Sequence, residues 1–586
     1  MQTGGKRVRR YSWRESDVVP MTPTGNGRLA RRDFLRLGWT LGAGLILPGG
    51  LHGCGDGTSN PPLPDETFVE PATLTSVNGE LDVTLALAYV ETTLNGKMVK
   101  LRSMYNSIPA PTLRVSVGDR LRIKVINQLP SNPRSSEPTR HLRYPNSTNL
   151  HTHGLHVSPG LVSAGVYGDY VMDDPQLGIQ PGQTRQHEYR IGVDHPPGAC
   201  WYHPHLHGSS AIQVGSGMAG ALIIRGEIDR VPEIAAAVER VFMFQAPITD
   251  AAGMLESFAQ VADNLSNEPP FLVNGVRRPR LVMRRGEVQN WRFLNAGIFR
   301  FLNLSLDDHA LHVHGHDGNP RSSLLTIDPG NPNGVVLAPG NRASVLVQAG
   351  APGTYSLRTL SLQMGSSGAT LAEDVLAEVV VVDERRPMAL PGGPLPIPAS
   401  LTPITDQELA SAGGLRRNIV MRAVFASPTA DQPPDSVVHP GNEVDDWFYQ
   451  TGLTNLARTV WALGTAAAQA STAPGMPNEY IPYQSSRALR QIVALGSVEE
   501  WTVFNMNSIR HPFHLHINPF QVVKIDGQPV EPYWADTIAL PPDGSPTNPT
   551  TVTFRTRFRD FRGAFVMHCH MLAHEDMGMM QMVEVV

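Results

Sequence analysis

Residues 568–579 read His568-Cys569-His570-Met571-Leu572-Ala573-His574-Glu575-Asp576-Met577-Gly578-Met579. In a β-strand, side chains two positions apart point to the same face, whereas adjacent side chains point to opposite faces. A strand through the start of this segment therefore places His568 and His570 on one face and Cys569 on the other. The thiolate and the two imidazoles would then belong to two different sites that are joined by a few covalent bonds.

Three further histidine clusters occur earlier in the chain: His151-Thr152-His153-Gly154, His203-Pro204-His205 and His511-Pro512-Phe513-His514-Leu515-His516. The same alternation separates His511 from the pair His514 and His516. One resulting ligand set combines two imidazoles and a thiolate with a weak thioether, the donors of a blue-copper electron-transfer site. Its members are His511, Cys569, His574 and Met579.

The second ligand set consists of imidazoles alone. Eight neutral nitrogens suit three copper ions, whereas a single zinc ion takes four ligands at most. The alternative is that the histidines cluster by chance and bind no metal. It is disfavoured because strand alternation divides the four clusters consistently into two ligand sets. The spacing thus predicts four copper ions per chain. The members of this set are His151, His153, His203, His205, His514, His516, His568 and His570.

The rest of the chain predicts an all-β fold. The segments 81–87, 121–125 and 501–504 alternate between apolar and polar residues, and 54 glycines and 50 prolines favour short strands joined by turns. Glycines 118, 286 and 496 each precede an alternating run that ends near an asparagine, at positions 127, 295 and 505. This recurrence predicts three copies of one β-sandwich, and a net charge of -5 argues against nucleic acid as a partner.

The N-terminal region resembles an export signal. Arg31 and Arg32 precede a short apolar run, residues 37–51, which is too short and too rich in glycine for a membrane span. A chance arginine pair before a buried helix is the alternative. We expect export by the twin-arginine route to the periplasm or cell surface. Cys54 ends a sequence similar to a lipoprotein cleavage site, so a lipid anchor stays open, with residues 55–65 as a flexible spacer.

The four histidine motifs resemble the multicopper oxidase family in order and spacing, and the likeness covers most of residues 68–586. It implies three consecutive cupredoxin-like Greek-key β-sandwich domains, at residues 66–226, 236–385 and 405–586, after an export signal and spacer at 1–65. A trinuclear copper cluster would lie between the first and third domains, and a type 1 copper in the third. The resemblance assigns His151 and His514 as type 2 ligands, His511, Cys569, His574 and Met579 as the type 1 set, and the remaining six histidines as type 3 ligands.

The resemblance also implies carboxylates that supply protons, because reducing O2 to two waters consumes four of them. Glu575 resembles the first such acid, although a solvated carboxylate is the alternative. A second family acid lies between the first two motifs, where Asp173 and Asp174 are the candidates and the sequence does not choose between them.

The implied activity couples four one-electron oxidations of a small donor to the reduction of O2 to water. A methionine-rich insertion would favour a Cu(I) substrate, because thioethers bind Cu(I), and the sequence contains no such insertion. We therefore expect a laccase-like activity on phenols or aromatic amines, in a monomer. The alternative is oxidation of Cu(I), Mn(II) or Fe(II), and a remote alternative is a non-catalytic copper-binding or scaffold protein.

Some histidines and one cysteine remain outside both sets. His309, His312, His314 and His316 would form either a fifth metal site or, as we expect, a histidine-rich strand and loop. Cys200 is expected to be a buried free thiol.

Overall fold

The computed structural model describes residues 67–132, 144–172, 178–256, 260–261, 269–366, 368–425, 459–466, 479–481, 490–545 and 547–586. Within these ranges almost all regular structure is β-strand, which confirms the predicted all-β class. No helix in this part of the chain combines the length and the apolar character that a membrane crossing requires.

The first β-sandwich contains eleven strands. They are β1 Thr73–Thr75, β2 Glu80–Leu94, β3 Lys97–Ser103, β4 Ala110–Ser116, β5 Arg120–Asn127, β6 His151–His153, β7 Leu161–Ser163, β8 Val166–Tyr167, β9 Thr184–Arg190, β10 Gly198–His203 and β11 Gly220–Arg225. One sheet has the order β1-β4-β11-β10-β6 and the other β3-β2-β5-β9-β8-β7. Leu85 and Leu121 of one sheet share a buried core with Leu113 and Leu222 of the other.

The second β-sandwich is built in the same way from thirteen strands. They are β12 Val238–Gln245, β13 Leu272–Val273, β14 Arg280–Arg285, β15 Val288–Asn295, β16 Leu302–Leu306, β17 Leu311–His316, β18 Asn319–Ile327, β19 Val335–Leu337, β20 Arg342–Gln348, β21 Gly353–Thr359, β22 Leu362–Gln363, β23 Thr370–Leu371 and β24 Asp374–Arg385. Its main sheets are β13-β12-β15-β20-β17-β18 and β14-β24-β21-β16-β19.

The third β-sandwich contains the last two histidine clusters. Its strands are β25 Leu415–Phe425, β26 Thr459–Ala466, β27 Glu479–Ile481, β28 Arg490–Val493, β29 Val498–Asn505, β30 Pro512–Leu515, β31 Phe520–Ile525, β32 Gln528–Ala535, β33 Thr537–Ala539, β34 Thr550–Arg557, β35 Gly563–Cys569 and β36 Met580–Val585. The sheets have the orders β27-β26-β25-β29-β34-β31-β32 and β28-β36-β35-β30-β33.

The predicted threefold recurrence appears as one repeated arrangement. In each sandwich the strand after the glycine turn pairs in parallel with the first long strand: β5 with β2, β15 with β12 and β29 with β25. Each of these strands ends at an asparagine whose side-chain oxygen accepts the N–H two residues later: Asn127 from Leu129, Asn295 from Gly297 and Asn505 from Asn507. In all three the side-chain amide also donates to a carbonyl oxygen 36 to 52 residues later, those of Ile179, Leu337 and Pro541.

Short helices and an apolar cluster connect the three sandwiches. The helices are α1 Ser210–Gly215, α2 Pro232–Ala236, α3 Asp406–Ser411 and α4 Leu572–Asp576, with 3-10 turns at Glu227–Arg230 and Ala399–Leu401. Leu572 of the third sandwich packs in one buried cluster with Leu94 of the first and Leu272 of the second. Asp576 accepts the backbone N–H groups of Gly208, Ser210 and Ala211, so it fixes the start of α1 against α4.

We predict that Phe554→Ala lowers the free energy of unfolding of the third sandwich by about 3–5 kcal/mol, because a large buried ring leaves a cavity. Phe554 is fully buried, and its ring stacks on Phe520 with the ring centroids 4.3 Å apart. Denaturation followed by tryptophan fluorescence would measure the change. Tyr105→Ala, at a side chain 39 % exposed, is the control and should change stability far less. Equal effects of both substitutions would contradict the assigned core.

Candidate metal centre

Two pairs of strands from opposite ends of the chain carry the four histidine motifs. In the first sandwich β6 pairs with β10, which sets His151 opposite His203. In the third sandwich β30 pairs with β35, which sets His514 opposite His568. These two strand pairs meet. The ring of His151 stacks on that of His516 with 3.9 Å between centroids, and the ring of His153 stacks on that of His514 at 3.8 Å.

All eight histidines of the imidazole set come together in one cluster, and none is more than 1 % exposed. Burial lowers the pKa of each ring below its usual range. The rings are therefore neutral at pH 7, and each keeps one nitrogen lone pair that a metal can accept.

The position of the proton on several of these rings follows from the oxygen atoms that lie beside Nδ1. The Nδ1 of His203 faces the carbonyl oxygen of Pro204 at 2.8 Å, and that of His514 faces the carbonyl of Asp536 at 2.8 Å. The Nδ1 of His151 lies 2.9 Å from the Asp169 carboxylate. Carbonyl oxygens can only accept, so the Nδ1 of His203 and of His514 carries the proton and the Nε2 presents its lone pair; an ionised Asp169 imposes the same arrangement on His151. None of these three Nε2 atoms has a hydrogen-bond partner in the described part of the chain.

The Nε2 atoms of His205, His516 and His568 form a triangle with edges of 3.1 Å. Because the Nδ1 of His568 donates to the Cys569 carbonyl at 3.0 Å, its Nε2 carries a lone pair. The centre of an equilateral triangle with 3.1 Å edges lies about 1.8 Å from each corner (3.1 Å divided by √3), close to a metal–imidazole bond of roughly 2.0 Å. This triangle fits one metal ion.

His153 uses its other ring nitrogen. Its Nε2 lies 3.1 Å from the Asp536 carboxylate and donates to it, so Nδ1 keeps the lone pair. That Nδ1 faces the Nε2 of His570 at 3.2 Å. His151, His153 and His203 also bring one nitrogen each within 4.8 Å of one another. Several convergent sets of imidazole nitrogens thus occupy one dry pocket.

Cys569 lies in a second group, as the alternation predicts. Its Sγ is 3.4 Å from the Nδ1 of His511 and 3.7 Å from the Nδ1 of His574, and all three residues are buried. Met579 is also buried, and its backbone bonds to Cys569 and His574 close the loop around the group. Burial raises the pKa of the Cys569 thiol above its usual range. A bound cation would reverse that preference and stabilise the thiolate.

Glu575 lies behind the triangle of imidazoles. Its Oε1 accepts a hydrogen bond from the Ser210 hydroxyl at 2.9 Å, and its Oε2 is 3.2 Å from the Nδ1 of His568. Oε1 is also 3.5 Å from the Nδ1 of His205. Burial, reinforced by the neighbouring charge of Asp576, raises the pKa of Glu575 well above its usual range. The solvated carboxylate considered as the alternative is therefore wrong.

A second buried acid, Asp169, was missed by the sequence analysis. It binds the Nδ1 of His151 and accepts the backbone N–H of Thr152 at 2.7 Å, and burial raises its pKa to about 7. Asp173 and Asp174, the candidates from sequence, lie outside the described residues. The only local signal for Asp169 is its place between the first two motifs.

The histidines of the second sandwich do not form a metal site among the described residues. His314 pairs with Asn290, His312 with Thr326, and the Nε2 of His309 accepts the backbone N–H of Gly350. They lie in a histidine-rich strand and loop, as expected. Cys200 is a buried free thiol.

Comparison with known proteins gives a consistent picture. Family models described as multicopper oxidase match residues 139–228, 249–378 and 459–586. A multicopper oxidase of Staphylococcus haemolyticus is 23 % identical over 82 % of this chain and 83 % of its own length. The iron transport multicopper oxidase FET5 of Saccharomyces cerevisiae is 26 % identical over 80 % and 74 %. Laccase-2 of Botryotinia fuckeliana is 23 % identical over 82 % and 77 %.

The fold also matches a solved structure of the same family. A multicopper oxidase from Campylobacter jejuni, described as a metallo-oxidase, superposes with a TM-score of 0.64 at 22 % identity. The match covers 89 % of this chain and 96 % of that one. It confirms the predicted cupredoxin-like sandwiches.

We predict that Cys569→Ser abolishes the blue absorbance of the copper-loaded chain and reduces bound copper by about one ion, because a hydroxyl does not replace the thiolate. Visible absorption and metal analysis on the same sample would measure both. Cys200→Ser is the matched control, since it alters the other buried free thiol, and it should stay blue. A Cys569→Ser protein that remains blue would overturn the assignment.

Proposed function

The chain belongs to the multicopper oxidase family, and we propose that it oxidises phenols or aromatic amines one electron at a time while reducing O2 to two waters. Copper-dependent oxidation with O2 as acceptor is the activity of the family. The observation that carries the proposal is the cluster of eight buried, neutral imidazoles whose lone pairs converge. Buried polar atoms without partners destabilise a fold, and metal ligation would satisfy these nitrogens.

The residues divide among four copper ions, the number typical of the family. Bound copper supplies one-electron acceptance at the blue site and four-electron reduction of O2 at the trinuclear site. We propose His511, Cys569, His574 and Met579 for the first. For the second we propose His205, His516 and His568 on one type 3 ion, His153, His203 and His570 on the other, and His151 and His514 on the type 2 ion.

Cys569 connects the two sites through the backbone. It follows His568 and precedes His570 directly in the chain. Because adjacent side chains at the end of β35 point in opposite directions, Cys569 faces His511 while its two neighbours face the imidazole cluster. Electrons from a donor at the blue site would cross only a few covalent bonds to the other site.

Two carboxyl groups are placed to hold protons beside the imidazole cluster. Glu575 faces the Nδ1 of His568 and of His205, and the Ser210 hydroxyl binds its Oε1. Asp169 binds His151 and lies 3.7 Å from the Nδ1 of His516. We propose that these acids supply the protons that water formation consumes. The geometry supports this role because each acid reaches ligands of the cluster directly.

The surroundings of the blue site support an organic donor. Near the fourth motif only the Met577 thioether is partly exposed in the described structure, so there is no cluster of exposed thioethers for Cu(I); the buried methionines are Met567, Met571, Met579, Met580 and Met582. The Phe299 ring stands edge-on to the His574 ring with 6.0 Å between centroids. An aromatic neighbour suits an aromatic donor.

We also propose export by the twin-arginine route. Arg31, Arg32 and the apolar run that follows support it, and they lie outside the described residues. A route that carries folded proteins would deliver a chain whose buried metal sites are already formed. Blocked export in an Arg31→Lys, Arg32→Lys variant would be the expected result, and unchanged export would contradict the proposal.

The donor is tested by comparing kcat/KM for a methoxyphenol, Cu(I), Fe(II) and Mn(II), with O2 uptake as the readout. We expect the phenol to exceed each metal ion at least tenfold. Cys569→Ser protein, which lacks the blue site, corrects for uncatalysed oxidation. A metal ion that is the best substrate would reject the laccase-like donor and assign the chain as a metal-ion oxidase.

We predict that Glu575→Gln slows O2 reduction by about 10²-fold, because amide oxygen and nitrogen cannot replace a proton-donating carboxyl. Copper content and the blue absorbance should stay unchanged, since Glu575 is not in the proposed ligand set. Reoxidation of the fully reduced enzyme by O2 in stopped flow would measure the step. Glu575→Asp keeps the carboxyl and should recover part of the rate. Wild-type reoxidation in Glu575→Gln would remove Glu575 from proton supply.

A further inference from the structure

Arg342, at the start of β20 in the second sandwich, is fully buried against the other two sandwiches. Its Nη1 and Nη2 donate to the two carboxylate oxygens of Asp536 at 2.7 Å and 2.6 Å. Its Nε donates to the carbonyl of Ala199 in the first sandwich at 3.0 Å. A guanidinium that makes two parallel bonds fixes both the position and the plane of its carboxylate.

Asp536 passes this constraint to a proposed copper ligand. Its Oδ1, which accepts from Arg342, lies 3.1 Å from the Nε2 of His153. A proton held on that Nε2 leaves Nδ1 as the lone-pair atom, the nitrogen that faces His570. The contacts therefore run from the second sandwich, through an acid of the third, to a histidine of the first.

The turn before Arg342 adds direct contacts with the same region. A Cβ atom on Gly340, whose φ is +88°, would lie 2.8 Å from the ring of His570, so the backbone rests against that ligand. Asn341 donates to the Thr537 carbonyl at 2.9 Å and to the Asp317 carboxylate at 3.0 Å. Asp317 in turn accepts the backbone N–H of Arg342 at 2.9 Å. The second sandwich forms one wall of the imidazole cluster although it contributes no imidazole to it.

We propose that Arg342 is a positioning residue for the trinuclear site, which sets His153 through Asp536 so that Nδ1 points to the metal. This inference rests on the copper sites proposed above and extends them to the second sandwich. Removing the guanidinium would leave Asp536 buried without its counter-charge, and the carboxylate would move or rotate to find other partners. His153 would then lose the contact that selects its ligand atom, while the blue site would keep all of its own ligands.

Arg292 provides a matched control. It also lies in the second sandwich, is only 1 % exposed and pairs with two carboxylates, those of Glu239 and Asp229. Neither carboxylate contacts a proposed copper ligand in the described structure. Arg292→Gln thus removes a comparable buried ion pair from the same sandwich. A purely structural role of Arg342 would give the two substitutions the same effect on copper binding.

The test compares copper per chain, blue absorbance per chain and the type 2 EPR signal in copper-loaded wild type, Arg342→Gln, Arg342→Lys and Arg292→Gln. We expect Arg342→Gln to keep the blue absorbance and to lose at least half of the copper that wild type binds outside the blue site. Arg342→Lys keeps the positive charge but cannot make the two parallel hydrogen bonds, so it should lose less copper and show an altered EPR signal. Arg292→Gln should retain the wild-type ratio of blue to total copper.

Two results would overturn the inference: full copper with a wild-type EPR signal in Arg342→Gln, or the same selective loss in Arg292→Gln. Should Arg342→Gln fail to fold, Arg342→Lys decides, and an unaltered EPR signal there overturns it. The proposed function would fail in a different way: the wild-type chain, before any substitution, would bind copper at the blue site alone. The two failures can therefore be distinguished.

Discussion

The lone pairs of the buried imidazoles must point at common centres, and the packing of the first and third sandwiches against each other meets this constraint. Carbonyl and carboxylate oxygens hold the proton on the outer nitrogen of His151, His203, His514 and His568. The inner nitrogens face one another and belong to residues as far as 417 positions apart in sequence. Buried polar atoms without partners destabilise a fold, so a metal that binds them would stabilise the junction between the first and third sandwiches. Folding of this interface and copper binding are thus coupled.

The sequence predicted which of these side chains lie together because strand alternation is a local property. It separated Cys569 from His568 and His570, and it separated His511 from His514 and His516, as the structure has them. It also predicted the threefold recurrence, since a glycine turn, an alternating strand and a closing asparagine are all local signals.

Contacts between distant segments could not be predicted in this way. Asp169 is 18 residues from His151 across a loop, and no periodicity relates the two. Arg342 and Asp536 lie 194 residues apart in different sandwiches, and their pairing depends on how those sandwiches pack. From the sequence we expected the second sandwich to contain a histidine-rich strand and loop, with a fifth metal site as the alternative. The structure shows that it contacts His570 through Gly340 and reaches His153 through Asp536, so all three sandwiches complete the centre.

Anomalous diffraction from crystals of the copper-loaded chain would show whether the converging nitrogens and Cys569 hold copper. Data collected on both sides of the copper absorption edge would locate the ions without reference to activity. We expect one peak beside the Cys569 sulfur, between His511 and His574, and three peaks within the eight histidines. One of those three should lie inside the triangle of His205, His516 and His568. An absence of peaks within the histidine cluster in fully loaded crystals would contradict the account.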